Sequence, residues 1–265
     1  MNLHRARVVL RPRRLLDSLD LAAPFCVENR RAVGRLLLAP LGAGLLLALG
    51  VRVGLGWSWG AVWLPLLTVS IFLQGVYTVM AAELLFRPPE DVRLREVLGR
   101  FRRRFWAHAL TLFGHQVVLV MAFSTVLLFP VIGARLLFVR EAVLLEENGL
   151  AGSFRRSAAV SDDHTAGCFV LWLLTLGLPV FFVLAFEVTG QALVKGVLQM
   201  GEPVGALFTE GGSGYALAGF LVSMPLVAAA RFLRYIDLRT LREGWDIQIR
   251  FAAIREQAEA AQRAA

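Results

Sequence analysis

Two histidines in an apolar stretch are the first residues whose type and spacing could support chemistry. His108 and His115 are seven residues apart, which places them on one face of a helix, and Gln116 follows the second. Such a pair could relay protons or hold a ligand inside a helical bundle. Metal-binding histidines on a helix are usually four residues apart, so this spacing favours interhelical hydrogen bonding and predicts no metal site.

Ionisable residues also occur within or beside apolar runs, at Glu83, Arg135 and Arg140, the last of which is followed by Glu141. Because a charge in hydrocarbon is costly, such residues are by default candidates for a functional site. Glu83 is four residues before Arg87, so the spacing also predicts an ion pair between them. Arg135 and Arg140 could instead extend toward lipid headgroups or lie at the membrane boundary.

Two further segments, 146–164 and 231–246, mix acidic and basic side chains closely. Their charges could bind headgroups or pair with one another, and we favour mutual pairing. The candidate residues of a polar bundle interior or a headgroup-facing surface are Glu83, His108, His115, Arg135, Arg140, Arg155, Arg156, Ser157, Asp237, Arg239, Arg242 and Glu243. They accompany no phosphate loop, dinucleotide fingerprint or nucleophile elbow, so we predict no catalytic residue and no cofactor.

The composition indicates the setting of these residues. The 265 residues are 57% apolar and 18% charged, against about 45–50% and 25% in ordinary soluble domains. The mean hydropathy is +0.63. The net charge is +8, but in so apolar a chain the basic residues are first interpreted as topology signals, and we predict an integral membrane protein without a nucleic-acid partner.

Membrane-spanning helices need roughly 20 apolar residues. Clear candidates are 36–56, 61–82, 107–128, 167–187 and 214–233, and a sixth, 130–145, is short and charged. If the sixth crosses, only Arg52 and Lys195 lie outside the cytoplasm, as the positive-inside rule favours. We therefore predict an all-α bundle with six spans in 36–238, and with a basic segment 1–35 and a C-terminal helix 239–265 both in the cytoplasm.

The connecting segments carry further predictions. Pro130 and Gly133 predict a turn at the outer surface between the third and fourth spans, with one long kinked helix as the alternative. The segments 13–25, 92–105 and 150–165 mix apolar residues with arginines, which is typical of amphipathic helices in the headgroup plane. Gly244 before Asp246 predicts a helix end.

Several of these short motifs occur together in a known family. The run from Pro130 to Gly133, then Glu147, Gly149, Arg156 and Ser157, resembles a large family of bacterial six-helix membrane proteins. That family includes the membrane domain attached to some glycerophosphoryl diester phosphodiesterases. The run Tyr235, Ile236, Asp237, Arg239, Arg242, Glu243, Gly244, Trp245 and Asp246 is similar to the closing signature of its stand-alone members.

This resemblance extends from the first span onward and implies a compact six-helix bundle in a bacterial inner membrane, without an established activity. The residues form spans and short loops rather than a catalytic barrel, so phosphodiesterase activity is not carried over.

Three functions remain open at this stage. The favoured one is a non-enzymatic accessory or regulatory membrane protein whose basic face engages anionic lipid headgroups and which supports a membrane-protein partner. The alternative is a subunit of a transporter, which requires a polar cavity in mid-membrane. The third is a membrane enzyme acting on lipid headgroups through Arg156, Asp237, Glu243 and Asp246, which has no nucleophile–base pair to support it.

Overall fold

The structure, a computed structural model, describes residues 15–126 and 128–244, and these are helical apart from short connections. In chain order the helices are α1 (Leu15–Asp20), α2 (Ala22–Glu28), α3 (Arg30–Gly54), α4 (Trp59–Phe86), α5 (Leu94–Phe123), α6 (Leu128–Arg135), α7 (Val139–Leu145), α8 (Leu150–Ser161), α9 (Thr165–Gln191), α10 (Leu207–Glu210) and α11 (Gly214–Glu243). Of the predicted segments 1–35 and 239–265, residues 1–14 and 245–265 lie outside the described residues.

Five helical stretches in the described chain are long and apolar enough to cross a membrane. They are Arg30–Arg52, Trp59–Phe86, Leu94–Phe123, the continuous stretch Leu150–Val197, and Gly214–Glu243. The chain therefore has the helices of a multi-pass membrane protein. The stretch 128–145 is not among them, because α6 and α7 are short helices separated by a non-helical turn at 136–138.

Helix α11 is the centre of the bundle. It packs against α9, α4 and α3 and also contacts α1, α2 and α8. The approach to α9 is close, since a Cβ added at Gly219 would lie 2.4 Å from the Phe182 carbonyl oxygen. Small residues at such crossings let two helix backbones pack directly against each other.

The two ends of the bundle carry different polar residues. At the basic end, where α4 and α11 end and α5 begins, lie Arg87, Arg100, Arg104 and Arg156. At the opposite end, α4 and α11 begin with the capping serines Ser58 and Ser213, whose hydroxyls accept hydrogen bonds from main-chain N–H groups three residues on.

Several expected connections differ in detail from the structure. Segment 92–105 is not a separate interfacial helix, because α5 runs unbroken from Leu94 and already buries Val97 and Phe101. The third span ends at Phe123 rather than at 128, so the predicted turn at Pro130 and Gly133 falls instead at 124–126. Pro130 lies in the first turn of α6, where a proline removes no helical hydrogen bond.

The other two connecting segments are helical, and the predicted helix end is present. Segment 150–165 forms α8 and a short 3₁₀ turn, and α1 and α2 occupy most of 13–25. Gly244 ends α11 with φ +62°, the left-handed conformation that glycine adopts readily. Cys26 and Cys168 are free thiols.

Candidate functional site

One candidate site is a cavity of about 790 Å³ between the helices of the bundle. Helices α4, α5, α6, α9 and α11 surround it, each packing against the next, and α7 contributes to one end. Most of the lining is apolar or aromatic, including Trp63, Leu119, Phe123, Phe129, Trp172, Val183 and Phe220. Apart from the two tryptophans, the polar side chains of the lining are Ser70, Gln74, His115, Gln116, Arg140, Thr175 and Arg231. Of these, Arg140 and Arg231 are arginines, and Gln74 accepts a hydrogen bond from Arg140.

The position of these polar groups along the helices follows from helix geometry. At 1.5 Å per residue, Gln74 lies ~18 Å from the end of α4 and Arg231 lies ~18 Å from the end of α11. Both are more than ~20 Å from the starts of the same helices. The polar end of the cavity therefore lies near the midpoint of two spans.

Glu141 neutralises one of the two arginines. Its carboxylate is completely buried and accepts hydrogen bonds from Arg231 Nε at 3.2 Å and Arg231 Nη2 at 2.9 Å. Arg231 also donates to the main-chain carbonyl of Leu137, in the turn between α6 and α7. A two-pronged arginine–carboxylate pair of this kind is strong and orients both partners.

Arg140 differs from Arg231 in its partners. It is 7% exposed, and its Nη1 donates to Oε1 of Gln74, which is a neutral group. Its Nε has no hydrogen-bond partner, and no carboxylate within the described part of the chain forms an ion pair with it. A buried guanidinium without a counter-ion is costly, so this charge is the notable electrostatic feature of the cavity.

The two histidines occupy one side of α5 but have different surroundings. His115 contributes to the cavity, and its Nε2 has no hydrogen-bond partner. His108 is fully buried beside Gly75 and contacts Phe72 and Phe101 edge-on. Its ring lies close to the main chain of Ile71 on α4, although neither ring nitrogen makes a hydrogen bond of good geometry.

The structure brings the two mixed-charge segments together at the basic end, as predicted. Arg156 pairs with Glu146 at 2.7 Å and with Glu243. Arg239 pairs with the same two carboxylates, at 3.2 Å and 2.7 Å, and Tyr235 donates its hydroxyl to Glu146. This ion network connects α8 and the segment after α7 to the end of α11.

Glu83 also has the predicted partner. Its carboxylate is 6% exposed and accepts from Arg87 at 3.2 Å, one helical turn away, and from Arg100 of α5. The pair holds the end of α4 against the start of α5. Its role is therefore explained by packing at the basic end.

Ser157 lies in the bundle interior, which is one of the two settings expected for it. It is fully buried, donates to the Arg135 carbonyl at 2.9 Å and accepts from the Phe138 amide at 3.0 Å. Both groups belong to the non-helical turn between α6 and α7. A single hydroxyl therefore satisfies two main-chain groups that no helix supplies with partners.

The remaining candidates divide between buried and exposed positions. Asp237 is buried and pairs with Arg234 at 2.6 Å, and Ser18 of α1 donates to it. Arg135 is 46% exposed and pairs with Asp162 at 2.9 Å. Arg155 and Arg242 are exposed at the basic end.

Two polar residues that matter in the structure were not among the candidates. Gln74, which holds Arg140, is a lone amide in an apolar run and gave no pattern. Glu187 accepts from the Leu207 amide at 2.8 Å and from the hydroxyl of Ser213, and so closes the end of α9 onto the start of α11. An acid within an apolar run was visible in the sequence, and its partners were not.

In the described chain, no group of three His, Cys, Asp or Glu side chains could hold a metal ion. The chain matches no protein-family model, no curated protein and no solved structure. Its own residues and their geometry are therefore the basis for assigning a function.

Proposed function

We propose that the chain is a six-span protein of the bacterial cytoplasmic membrane, with both termini in the cytoplasm, which engages anionic lipid and acts without catalysis as an accessory membrane component. The observation that carries the proposal is the unequal charge of the two ends of the bundle. The six-helix family suggested by 130–157 and 235–246 is part of the same proposal.

The opposite end has no positive excess. Its described cations are Arg52 and Lys195, and each is paired with a carboxylate, Glu210 and Glu202 respectively. With Glu187 nearby, three carboxylates face two cations there, so the whole positive excess of the chain lies elsewhere. This is the distribution that the positive-inside rule associates with a cytoplasmic basic end.

The basic end carries exposed arginines besides those engaged in ion pairs. They are Arg30, Arg31, Arg35, Arg93, Arg95, Arg102, Arg103, Arg155 and Arg242. A base near an anionic membrane surface contributes about 1 kcal/mol, or about fivefold in affinity. Even a few of these side chains would produce a clear preference for anionic over zwitterionic lipid.

The sixth crossing is assigned to the broken pair α6 and α7. Phe129 at the start of α6 packs against Phe123 at the end of α5, at 5.4 Å between ring centroids. Glu147, just after α7, pairs with Arg104 in the first half of α5. The chain thus leaves the basic end along α5 and returns to it along α6 and α7, which supports an even number of crossings.

Cysteine accessibility tests this topology. With Thr125→Cys, in the turn before α6, a membrane-impermeant maleimide should label intact cells. With Arg155→Cys, the same reagent should label only permeabilised cells. Labelling of both variants from the same side would refute the proposed crossing. The wild-type chain is the control, because it gives the background labelling of the free thiols Cys26 and Cys168.

Lipid selectivity tests the lipid role. We expect the protein reconstituted in mixed phosphatidylcholine and phosphatidylglycerol bilayers to enrich spin-labelled phosphatidylglycerol in its boundary lipid. Replacing Arg102, Arg103 and Arg155 with glutamine should reduce the enrichment measurably, and Arg52→Gln at the opposite end should leave it unchanged. Equal association of both lipids with the wild-type chain would overturn the lipid role.

A transporter subunit is the second candidate, and the cavity with polar groups near mid-span favours it. If the chain is a transporter subunit, the thiol of a Leu119→Cys variant, in the cavity lining, should react with water-soluble thiol reagents added on either side of the membrane. Labelling from neither side would exclude it. The enzyme candidate has less support, because Asp237 and Glu243 are engaged by arginines.

A further inference from the structure

We propose that the cavity between α4, α5, α6, α9 and α11 is a binding site for a single amphiphile, whose anionic head lies at Arg140 and whose apolar chain lies along the aromatic walls. This inference rests on the proposed membrane location and lipid role. It adds a defined site, well inside the bundle and distinct from the exposed arginines of the basic end.

The charges around the polar end of the cavity call for an anion. Arg140 and Arg231 contribute two positive charges, and Glu141 contributes one negative charge. The Glu141 carboxylate already accepts hydrogen bonds from Nε and Nη2 of Arg231. One positive charge is left on Arg140, whose only hydrogen-bond partner in the described chain is the neutral amide of Gln74. A phosphate or carboxylate would supply the missing counter-charge and accept charge-assisted hydrogen bonds.

Donors for such a head are already present. Arg140 Nε and His115 Nε2 are both buried without a hydrogen-bond partner, and both residues line the cavity. Buried polar groups are nearly always satisfied, so two such atoms at one cavity indicate a ligand. Water could serve either atom, but water does not neutralise the guanidinium charge.

The walls indicate that the rest of the ligand is apolar. From the polar end the lining continues over Leu119, Phe123, Phe129, Trp172 and Phe220. A volume of about 790 Å³ lies within the usual range for small-molecule sites, which are lined mainly by apolar and aromatic side chains. A hydrated inorganic anion would leave this surface uncovered, whereas an acyl chain would fill it.

Photo-crosslinking can locate such a ligand. The protein would be placed in phosphatidylcholine nanodiscs and given a lysophosphatidate with a diazirine in its acyl chain. After illumination, mass spectrometry would identify the labelled peptides. We expect labelling of cavity residues on α5, α6 and α9, and about tenfold less labelling by a monoacylglycerol with the same chain, because it lacks the charge that Arg140 meets.

Three variants separate the site from general lipid contact. Arg140→Gln should reduce labelling of the cavity about tenfold, and Leu119→Trp should reduce it by filling the apolar part without touching the charge. Arg135→Gln, which removes an exposed arginine at the end of α6, should leave it unchanged. Because Leu119→Trp retains the Arg140–Gln74 contact, it keeps the test valid if Arg140→Gln fails to fold.

The outcomes distinguish the alternatives. Excess inorganic phosphate that abolishes labelling would mean that the site takes a free anion rather than an amphiphile, and would overturn the inference. Equal labelling by the neutral and anionic probes, or labelling confined to the basic end, would also overturn it. In either case the lipid role can still hold, since spin-label selectivity at the basic end measures it separately.

Discussion

Removing the Ser157 hydroxyl is expected to destabilise the bundle much more than removing a similar hydroxyl one turn away. Ser157→Ala leaves the Arg135 carbonyl and the Phe138 amide without partners in a region closed to water. An unsatisfied buried main-chain group costs about 1–3 kcal/mol. Two of them should lower the free energy of unfolding by about 2–6 kcal/mol.

Ser153→Ala is the matched control. Ser153 lies on the same helix, is equally buried, and donates to the Gly149 carbonyl at 3.0 Å. That carbonyl already accepts the Ser153 amide at 2.8 Å, so losing the hydroxyl leaves it satisfied. We expect a cost below about 1 kcal/mol for Ser153→Ala.

Unfolding of the two variants in detergent, followed by circular dichroism during a denaturant titration, measures the difference. Near-ultraviolet spectra before the titration check that the aromatic packing is unchanged. If Ser157→Ala and Ser153→Ala lie within about 0.5 kcal/mol of each other, the bridging role of Ser157 is refuted.

The other predictions concern charge, packing and a thiol. Arg156→Gln should lower the free energy of unfolding by about 2 kcal/mol, because the Arg156 side chain is only 25% exposed. Arg135→Gln should lower it by less than about 1 kcal/mol, because the Arg135 side chain is 46% exposed. Equal losses for the two variants would contradict this ranking. Gly219→Ala should lower the thermal midpoint of unfolding by several degrees, because the new methyl group would lie 2.4 Å from a main-chain oxygen of α9. The control Gly177→Ala should leave the midpoint unchanged or raise it, because a Cβ at Gly177 has no other atom within 4 Å. Burial raises the pKa of Cys26 from 9.0 to about 11, so at pH 8 about one thiol in a thousand is ionised. Alkylation of Cys26 by iodoacetamide should therefore be ~100-fold slower than in the denatured chain, and its rate should increase up to about pH 11. Equal alkylation rates in the folded and denatured chains at pH 8 would disprove the shift.

The local pattern predicted several features correctly because their causes are local. The apolar runs mark five helices able to span a membrane, and the four-residue spacing of Glu83 and Arg87 gives an ion pair within one helix. The segments 146–164 and 231–246 pair because each offers both signs of charge. Each of these features could be predicted from the sequence because it depends on neighbouring residues or on segments rich in both signs of charge.

Other features depended on packing between distant helices. The arginines in 92–105 suggested an interfacial helix, but the apolar residues between them pack on α4 and continue into α5. Ser157 gave no indication of its role, since its partners lie in a turn that hydropathy alone does not place. The cavity likewise exists only because of which helices are neighbours.

The sequence by itself determined an all-helical, apolar chain with a large excess of arginine. Only the tertiary structure decided which buried charges meet. Arg140 and Glu141 are adjacent in the chain, yet consecutive side chains on a helix point about 100° apart and do not face each other. Glu141 therefore pairs with Arg231, ninety residues away, and Arg140 is left facing the cavity with a charge that no described carboxylate neutralises.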